Sequence, residues 1–275
     1  MRPNTSTIWM VAQREFTDQF RDWRIVVPMF VLVTLFPFIA DDTTRQAVNF
    51  MNRFGGDLIL DRLVPFAILV IGFFPLSFTL LVALESFVGE KERGTIETIL
   101  ASPISRTALA SGKFLAVLTT ALCTAFLSLF SLGISSRLSG SGEMAQELPF
   151  ALALNGHTVA AMLLMILPVA VLFAGALLAI ALMAKSYREA QSYIQPLMIV
   201  VILPAVAAML PGVDLNPKLA LVPILNVSLV SKELVAGIYN WKLIGEIFLS
   251  SCLYAAIALF VAIRAFQRES VLFRT

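Results

Sequence analysis

Charge is what this chain has least of. Charged residues fill 14% of its 275 positions, against about 25% in a soluble domain. The net charge of +2 leaves a nucleic-acid partner without an electrostatic basis. Histidine occurs once, as His157, and cysteine twice, as Cys123 and Cys252. With no CxxC and no Cys/His cluster, neither a disulfide framework nor a metal site is expected. A P-loop is missing too. That loop needs G-x-x-x-x-G-K-[ST], so that backbone amides cradle the phosphates while the Lys and hydroxyl complete the site. At the nearest approach, Gly112–Lys113, Thr107 replaces the first Gly and Phe114 the final hydroxyl. The chain is not expected to bind ATP.

What is abundant is apolar surface. Hydrophobic residues make up 59% of the chain and the mean hydropathy is +0.87. They are arranged as uninterrupted runs, the mark of a membrane protein. A bilayer-crossing helix needs about 20 such residues, and six segments qualify: 25–40, 63–84, 114–136, 158–184, 194–213 and 243–263. The expected fold is therefore all-α, with six transmembrane helices in a single domain, 1–275. A seventh run, 219–231, has only 13 residues and contains Pro223, a length that suits a re-entrant segment within the outer loop 214–242. No cleavable signal is expected. The first apolar run starts only at Ile25, after a segment holding acids as well as arginines.

Lysine and arginine set the orientation. With the N-terminus inside, thirteen of them fall on the inner side (Arg2, Arg14, Arg21, Arg24, Lys91, Arg93, Arg106, Lys113, Lys185, Arg188, Arg264, Arg268, Arg274) and seven on the outer. Both termini are expected in the cytosol. Within 1–24, Ile8, Val11, Ala12, Phe16, Phe20 and Trp23 recur at helical spacing, with Arg14, Glu15, Asp18, Arg21 and Asp22 at the complementary positions. This pattern predicts an amphipathic helix along the inner membrane surface.

Between the second and third apolar runs lies a polar island, 85–113. Glu90, Lys91, Glu92 and Arg93 crowd its start, and Gly94 breaks the helix there. Thr95 is placed to cap a new one, with Glu97 in its first turn. Ile96, Ile99 and Leu100 give that short helix an apolar face, Pro103 ends it, and Ser105 caps the helix leading into the third run. The result is a short helix held across one end of a transmembrane bundle, where a motor protein could push on it.

The run EKERGTIETILASPISRTALASGK resembles the signature of ABC-type exporter permeases, six-span ABC-2-like subunits that pair with ATP-binding subunits. The matching positions are Glu90, Lys91, Glu92, Arg93, Gly94, Thr95, Glu97, Leu100, Pro103, Gly112 and Lys113. The stretch 266–273 also resembles the tail of bacterial members, some connected with sodium efflux. This resemblance implies that two permease subunits, as a homodimer or heterodimer, form a pathway gated by ATP and magnesium in two partner subunits. It further implies that the helix after Gly94 is a coupling helix, and it places the protein in the plasma membrane of a prokaryote. Some sodium-efflux-like relatives carry a large outer domain after the first span, where this chain offers 22 residues, Asp41–Arg62.

Two features bear on what passes through. Thr120, Thr124, Ser128, Ser131 and Ser135 share one face of the third span; such faces mediate helix packing or form a polar pathway wall. Glu246 is the one acid within a span. An i, i+4 pair with Lys242 accounts for it, and so does a substrate contact. No cluster of buried acids supports a self-contained ion-coupled transporter. An intramembrane enzyme would have to pair His157 with Ser135 or Ser136, and no acidic orienter stands nearby. A membrane scaffold is the remaining alternative.

Overall fold

The computed structural model describes residues 5–23, 26–27, 30–31, 82–94, 104–139, 156–208, 213–235 and 237–267. Among them every regular element is a helix: α1 (Thr5–Arg21), α2 (82–92), α3 (Arg106–Ser139), α4 (Gly156–Met183), α5 (Tyr187–Ala207), α6 (Leu225–Val235) and α7 (Trp241–Gln267). The described residues contain four helices long and apolar enough to cross a membrane, Thr107–Phe130, Gly156–Met183, Tyr187–Ala207 and Trp241–Phe266. They correspond to the third to sixth expected spans. Most of the first expected span and nearly all of the second lie outside the described residues.

Helix boundaries follow local chemistry. Ser105 caps α3 as expected, its Oγ accepting from the Ala108 amide at 3.3 Å. At 34 residues, α3 is about 51 Å long, well beyond the hydrocarbon core of about 30 Å. α5 begins seven residues before the apolar run expected at Ile194. The reason is a cap: Ser186 has extended backbone and its side chain accepts from the Glu189 amide, so the helix starts on polar residues. Pro168, Pro196 and Pro204 all lie inside helices, which spanning helices tolerate.

The core is divided between the two ends of the bundle. At the end carrying 85–94, buried side chains of α1, α2 and α3 (Val11, Leu84, Val88, Val117) meet Leu178 and Leu182 of α4 and Phe266 of α7. At the far end Leu129, Met162 and Met165 pack with Val230, Leu234 and Ile247. Between them α4 and α7 touch backbone to backbone. A Cβ at Gly175 would stand 3.1 Å from the Ala258 carbonyl carbon, the close approach that small residues allow. α5 is the least covered span, with Ile199, Val200 and Leu203 exposed.

The expected short segment before the last span is a 3-10 turn, Leu219–Leu221, followed by α6. Eleven residues of α6 span about 16 Å, too short to cross. Ile224 joins the two pieces with φ of 72°, a left-handed conformation that strains a β-branched residue. A polar network holds the segment to α7. Asn226, fully buried, donates from Nδ2 to the Ala220 carbonyl at 3.1 Å and to the Ser250 and Ser251 hydroxyls at 3.3 Å. Tyr254 adds a bond to the Leu221 carbonyl at 2.8 Å. Asn226→Ala removes the donor shared by three acceptors. It is expected to cost about 1–3 kcal/mol and to lower the thermal unfolding midpoint in detergent, whereas Ser251→Ala, which removes one acceptor, lowers it less.

Candidate functional site

The end of α2 is built to present consecutive side chains in different directions. Glu85–Gly89 is π-helical and runs directly into Glu90–Glu92. Gly94 then takes φ of +69°, the left-handed conformation that favours glycine and stops the helix. The Arg93 guanidinium pairs back to the Glu85 carboxylate.

Glu90 turns inward, to a lysine. Lys113 of α3 has no exposed surface, so its ammonium must be met entirely by protein oxygens. Its Nζ lies 2.8 Å from Glu90 Oε2 and 2.9 Å from Glu15 Oε1. It donates to the Ser86 carbonyl at 2.6 Å and approaches the Ser86 hydroxyl at 3.3 Å. That hydroxyl donates to Glu15 Oε2 at 2.9 Å. One cation thus ties α1, α2 and α3 together. Beside the cage α1 crosses α3 closely: a Cβ at Gly112 would stand 2.5 Å from Val11 Cγ1. Two turns further along α3, Thr120 Oγ1 donates to Gln19 Oε1 at 2.7 Å.

Lys91 and Glu92 reach the other way, to the junction of α4 and α5. Lys91 Nζ donates to the carbonyls of Leu182 (2.5 Å) and Ala184 (3.0 Å), satisfying acceptors at the α4 C-terminus, where a cation also suits the helix dipole. Glu92 Oε1 accepts from the Tyr187 amide at 2.7 Å, so a carboxylate sits at the α5 N-terminus. Glu189 closes the junction by accepting from the Lys185 amide at 2.7 Å.

Burial sets the electrostatics. It pushes the Glu90 carboxyl above the usual carboxylate range, and the nearby Lys113 charge only partly opposes it. Burial likewise holds the Lys91 ammonium below the usual lysine range, with Glu189 opposing. Desolvation therefore outweighs pairing at Glu90. Ionised, this residue fixes position at some cost in stability, the usual balance for a buried ion pair.

The family described as ABC-2 family transporter protein matches residues 9–271. This chain belongs to that family. It is also 29% identical over 238 residues to the ABC transporter permease protein NatB of Bacillus subtilis (strain 168), covering 84% of this chain and 55% of that protein. The ABC-2 chain thus spans about half the length of the curated relative it matches.

Of the island residues singled out in this ABC-2 sequence, Glu90, Lys91, Glu92, Arg93 and Gly94 are gathered at one end of the bundle. Thr95, Glu97, Leu100 and Pro103 lie outside the described residues. In the hydroxyl stripe Thr120, Thr124 and Ser128 are buried. Thr120 Oγ1, bonded to Gln19, also lies 3.0 Å from the Ala116 carbonyl, while Thr124 donates to the Thr120 carbonyl (2.8 Å) and Ser128 to that of Thr124 (2.8 Å). Of Ser131 and Ser135 the structure describes only the helical backbone. Glu246 is half-buried in α7, and among the described residues it forms no ion pair with Lys242. His157 is exposed in the first turn of α4.

One expectation is corrected. Glu15 does not share the polar face of α1 with Arg14 and Asp18; its side chain is 12% exposed and faces Lys113. The face turned to α3 is Val11, Ala12, Glu15 and Gln19, while Trp9, Phe20 and Trp23 stay exposed. The close crossing at Gly112 admits small side chains, and the aromatic ones are left outside. The sequence pattern assigns Glu15 to the polar face and gives Ser86 no role. Spacing held the missing signal, since 11, 12, 15 and 19 fall on one helical face.

Proposed function

We propose that this chain is the membrane-spanning permease subunit of an ATP-driven exporter, with residues 85–113 carrying the stroke of a separate ATP-binding subunit into the bundle. One observation supports this above all. Three consecutive side chains, Glu90, Lys91 and Glu92, are bonded to α3, α4 and the start of α5 respectively. A displacement of this short segment is thereby distributed to three helices at once. In this reading residues 95–103 supply the coupling helix that the partner touches, and the end of the bundle carrying 85–94 faces the cytosol with both termini.

ATP and magnesium bind in the partner, and this chain supplies no part of that site. A second permease subunit completes the pathway, and the uncovered face of α5 is consistent with such a neighbour. α1 rests at the inner membrane surface, and the 219–235 segment enters the membrane from outside to seal it. Thr120, Thr124 and Ser128 serve packing in the conformation described and become a polar wall when the subunits part. A second reading keeps this assembly and makes sodium the cargo, on the likeness of 266–273 to sodium-efflux-type tails.

The test is purification of the tagged chain in mild detergent, with identification of what accompanies it and assay of ATP hydrolysis. A P-loop subunit in equal amount is expected. The double variant Glu90→Gln, Glu92→Gln is expected to lower the permease-dependent part of hydrolysis by about tenfold, the scale of a 1.4 kcal/mol change. An ATPase-free oligomer under several mild conditions would exclude the reading.

A further inference from the structure

We propose that Glu90 is a proton-binding site: the buried cage at the end of α2 holds one proton beyond the charge of Lys113, and gives it up as the surrounding pH rises, which loosens the cage. The inference does not depend on the coupling role proposed for 85–113 and needs no partner subunit.

Three observations support it. The first is the balance of charge. Two carboxylates, Glu15 and Glu90, lie 2.9 and 2.8 Å from one ammonium, that of Lys113. Lys113 has no exposed side-chain surface, and both acids are largely buried. With both acids ionised, the cage would hold one negative charge in excess where water is nearly excluded. A buried group in that position neutralises in preference to staying charged, and of two carboxylates sharing a site one is driven toward its protonated form. Among the described residues, the other charges at this end are directed elsewhere. Arg93 pairs with Glu85, Lys91 is turned to the α4 carbonyls, Glu92 to the start of α5, and the exposed Arg14 lies beside Asp18.

The second observation selects the acid that takes the proton. Both Glu15 oxygens already accept a hydrogen, Oε1 from Lys113 and Oε2 from the Ser86 hydroxyl. A proton added to Glu15 would be set against a donor, which leaves Glu90. The third is the setting of Glu90 itself. Burial raises its carboxyl above the ordinary range and the Glu15 charge adds to the rise, while Lys113 and, less strongly, Arg14 oppose it without cancelling it. From α1, then, Glu15 and Arg14 act on Glu90, and from α3 Lys113; at the α4–α5 junction the Glu189 charge bears on Lys91. Because the folded value is raised, there is a range of pH in which the unfolded chain is ionised while the folded one still holds its proton. Stability that is complete below the ordinary carboxylate value is therefore lost as pH rises through the folded value. Above it, the excess charge stays inside unless the cage admits water.

The experiment is unfolding of the full chain in detergent from about pH 4, the ordinary carboxylate value, to about pH 9, with infrared absorption of the folded protein over the same series. Between the ordinary and the folded value, the folding constant of the parent relative to that of Glu90→Gln is expected to fall about tenfold per pH unit, the slope of a single proton. In the infrared, the parent should show a protonated-carboxyl band that Glu90→Gln lacks, and this band should vanish at the pH where the fall levels off. Glu15→Gln removes the like charge beside Glu90, so there the band should vanish at a lower pH. Parallel pH courses for the parent and Glu90→Gln would overturn the proton site, as would the same carboxyl band in both. A band whose pH is unmoved in Glu15→Gln belongs to an acid outside the cage and overturns it as well. That shift is read without Glu90→Gln, so the test holds even where this variant does not fold.

Discussion

Lys113→Met is expected to destabilise this protein by about 3–5 kcal/mol, the loss typical of removing one partner from a buried ion pair. The methionine fills most of the space, so packing is not the main cause. What is lost is the buried cation that faces both Glu15 and Glu90, whose carboxylates sit with 12% and 19% of their side chains exposed. Thermal unfolding in detergent, followed by retention of the monodisperse species, checks it. Neutralising the other side of the pair should be far milder. The Glu90 carboxyl is pushed above its ordinary value by burial. A raised folded value means that its stabilising contribution is present below the ordinary carboxylate range and is lost as pH rises through the folded value. Once pH has risen past that folded value, Glu90→Gln should therefore cost no more than about 1 kcal/mol, the centre of the range for single substitutions. Combining Glu15→Gln with Lys113→Met should recover part of the lysine's loss. Equal damage from Glu90→Gln and Lys113→Met would mean that the cage is held by attraction more than by avoidance of a lone charge.

Gly112→Ala is expected to have the second largest effect, and it changes no charge. The added carbon would stand 2.5 and 2.6 Å from Val11 Cγ1 and Cβ, and 3.2 Å from the Ala12 amide nitrogen. The two shortest are distances that real Cβ contacts essentially never show. Because Val11 Cβ and a backbone atom are involved, a rotamer change cannot relieve the overlap and the helix must move. Overpacking of this kind costs about 1–3 kcal/mol. Movement of α1 should open its chain to trypsin at Arg14 and Arg21, both exposed already but held in a docked helix. Cleavage at these two sites at least several times faster than in the parent, with sites beyond α3 unchanged, is the expected pattern. Unchanged cleavage would place the seat of α1 elsewhere.

Much of the helical plan was legible because the bilayer makes it so. Long apolar runs at 114–136, 158–184 and 243–263 read directly as helices, and the observed α3, α4 and α7 contain nearly all of them. Gly94 and Ser105 were readable as a stop and a start, since each acts within a few residues of itself. The α5 start was not, because hydropathy is blind to a polar first turn that Ser186 and Glu92 hold from outside the apolar run. The cage was hidden for a related reason. Glu15 and Lys113 are 98 residues apart, and each looks like one more charge at a membrane surface. The periodic reading set Glu15 with the other charges on the polar face, although the spacing 11, 12, 15 and 19 also allows it beside Val11 and Ala12. Only the position of α3 decides between them. The island read as a surface offered to a partner, yet four of its charged residues, Glu90, Lys91, Glu92 and Lys113, are bonded to the chain's own helices.

The order of the cage along the chain has a consequence for how the protein is made. Glu15 and Ser86 precede Lys113 by 98 and 27 residues, and Glu90 also comes before it. As α3 emerges during synthesis, the cage oxygens of Glu15, Ser86 and Glu90 have already been polymerised. The cation never has to wait at the membrane for an acceptor still inside the ribosome. The junction that receives Lys91 and Glu92 is made only afterwards, at 182–187. Chain order thus allows the cage to close on α1, α2 and α3 before the residues that latch to α4 and α5 exist.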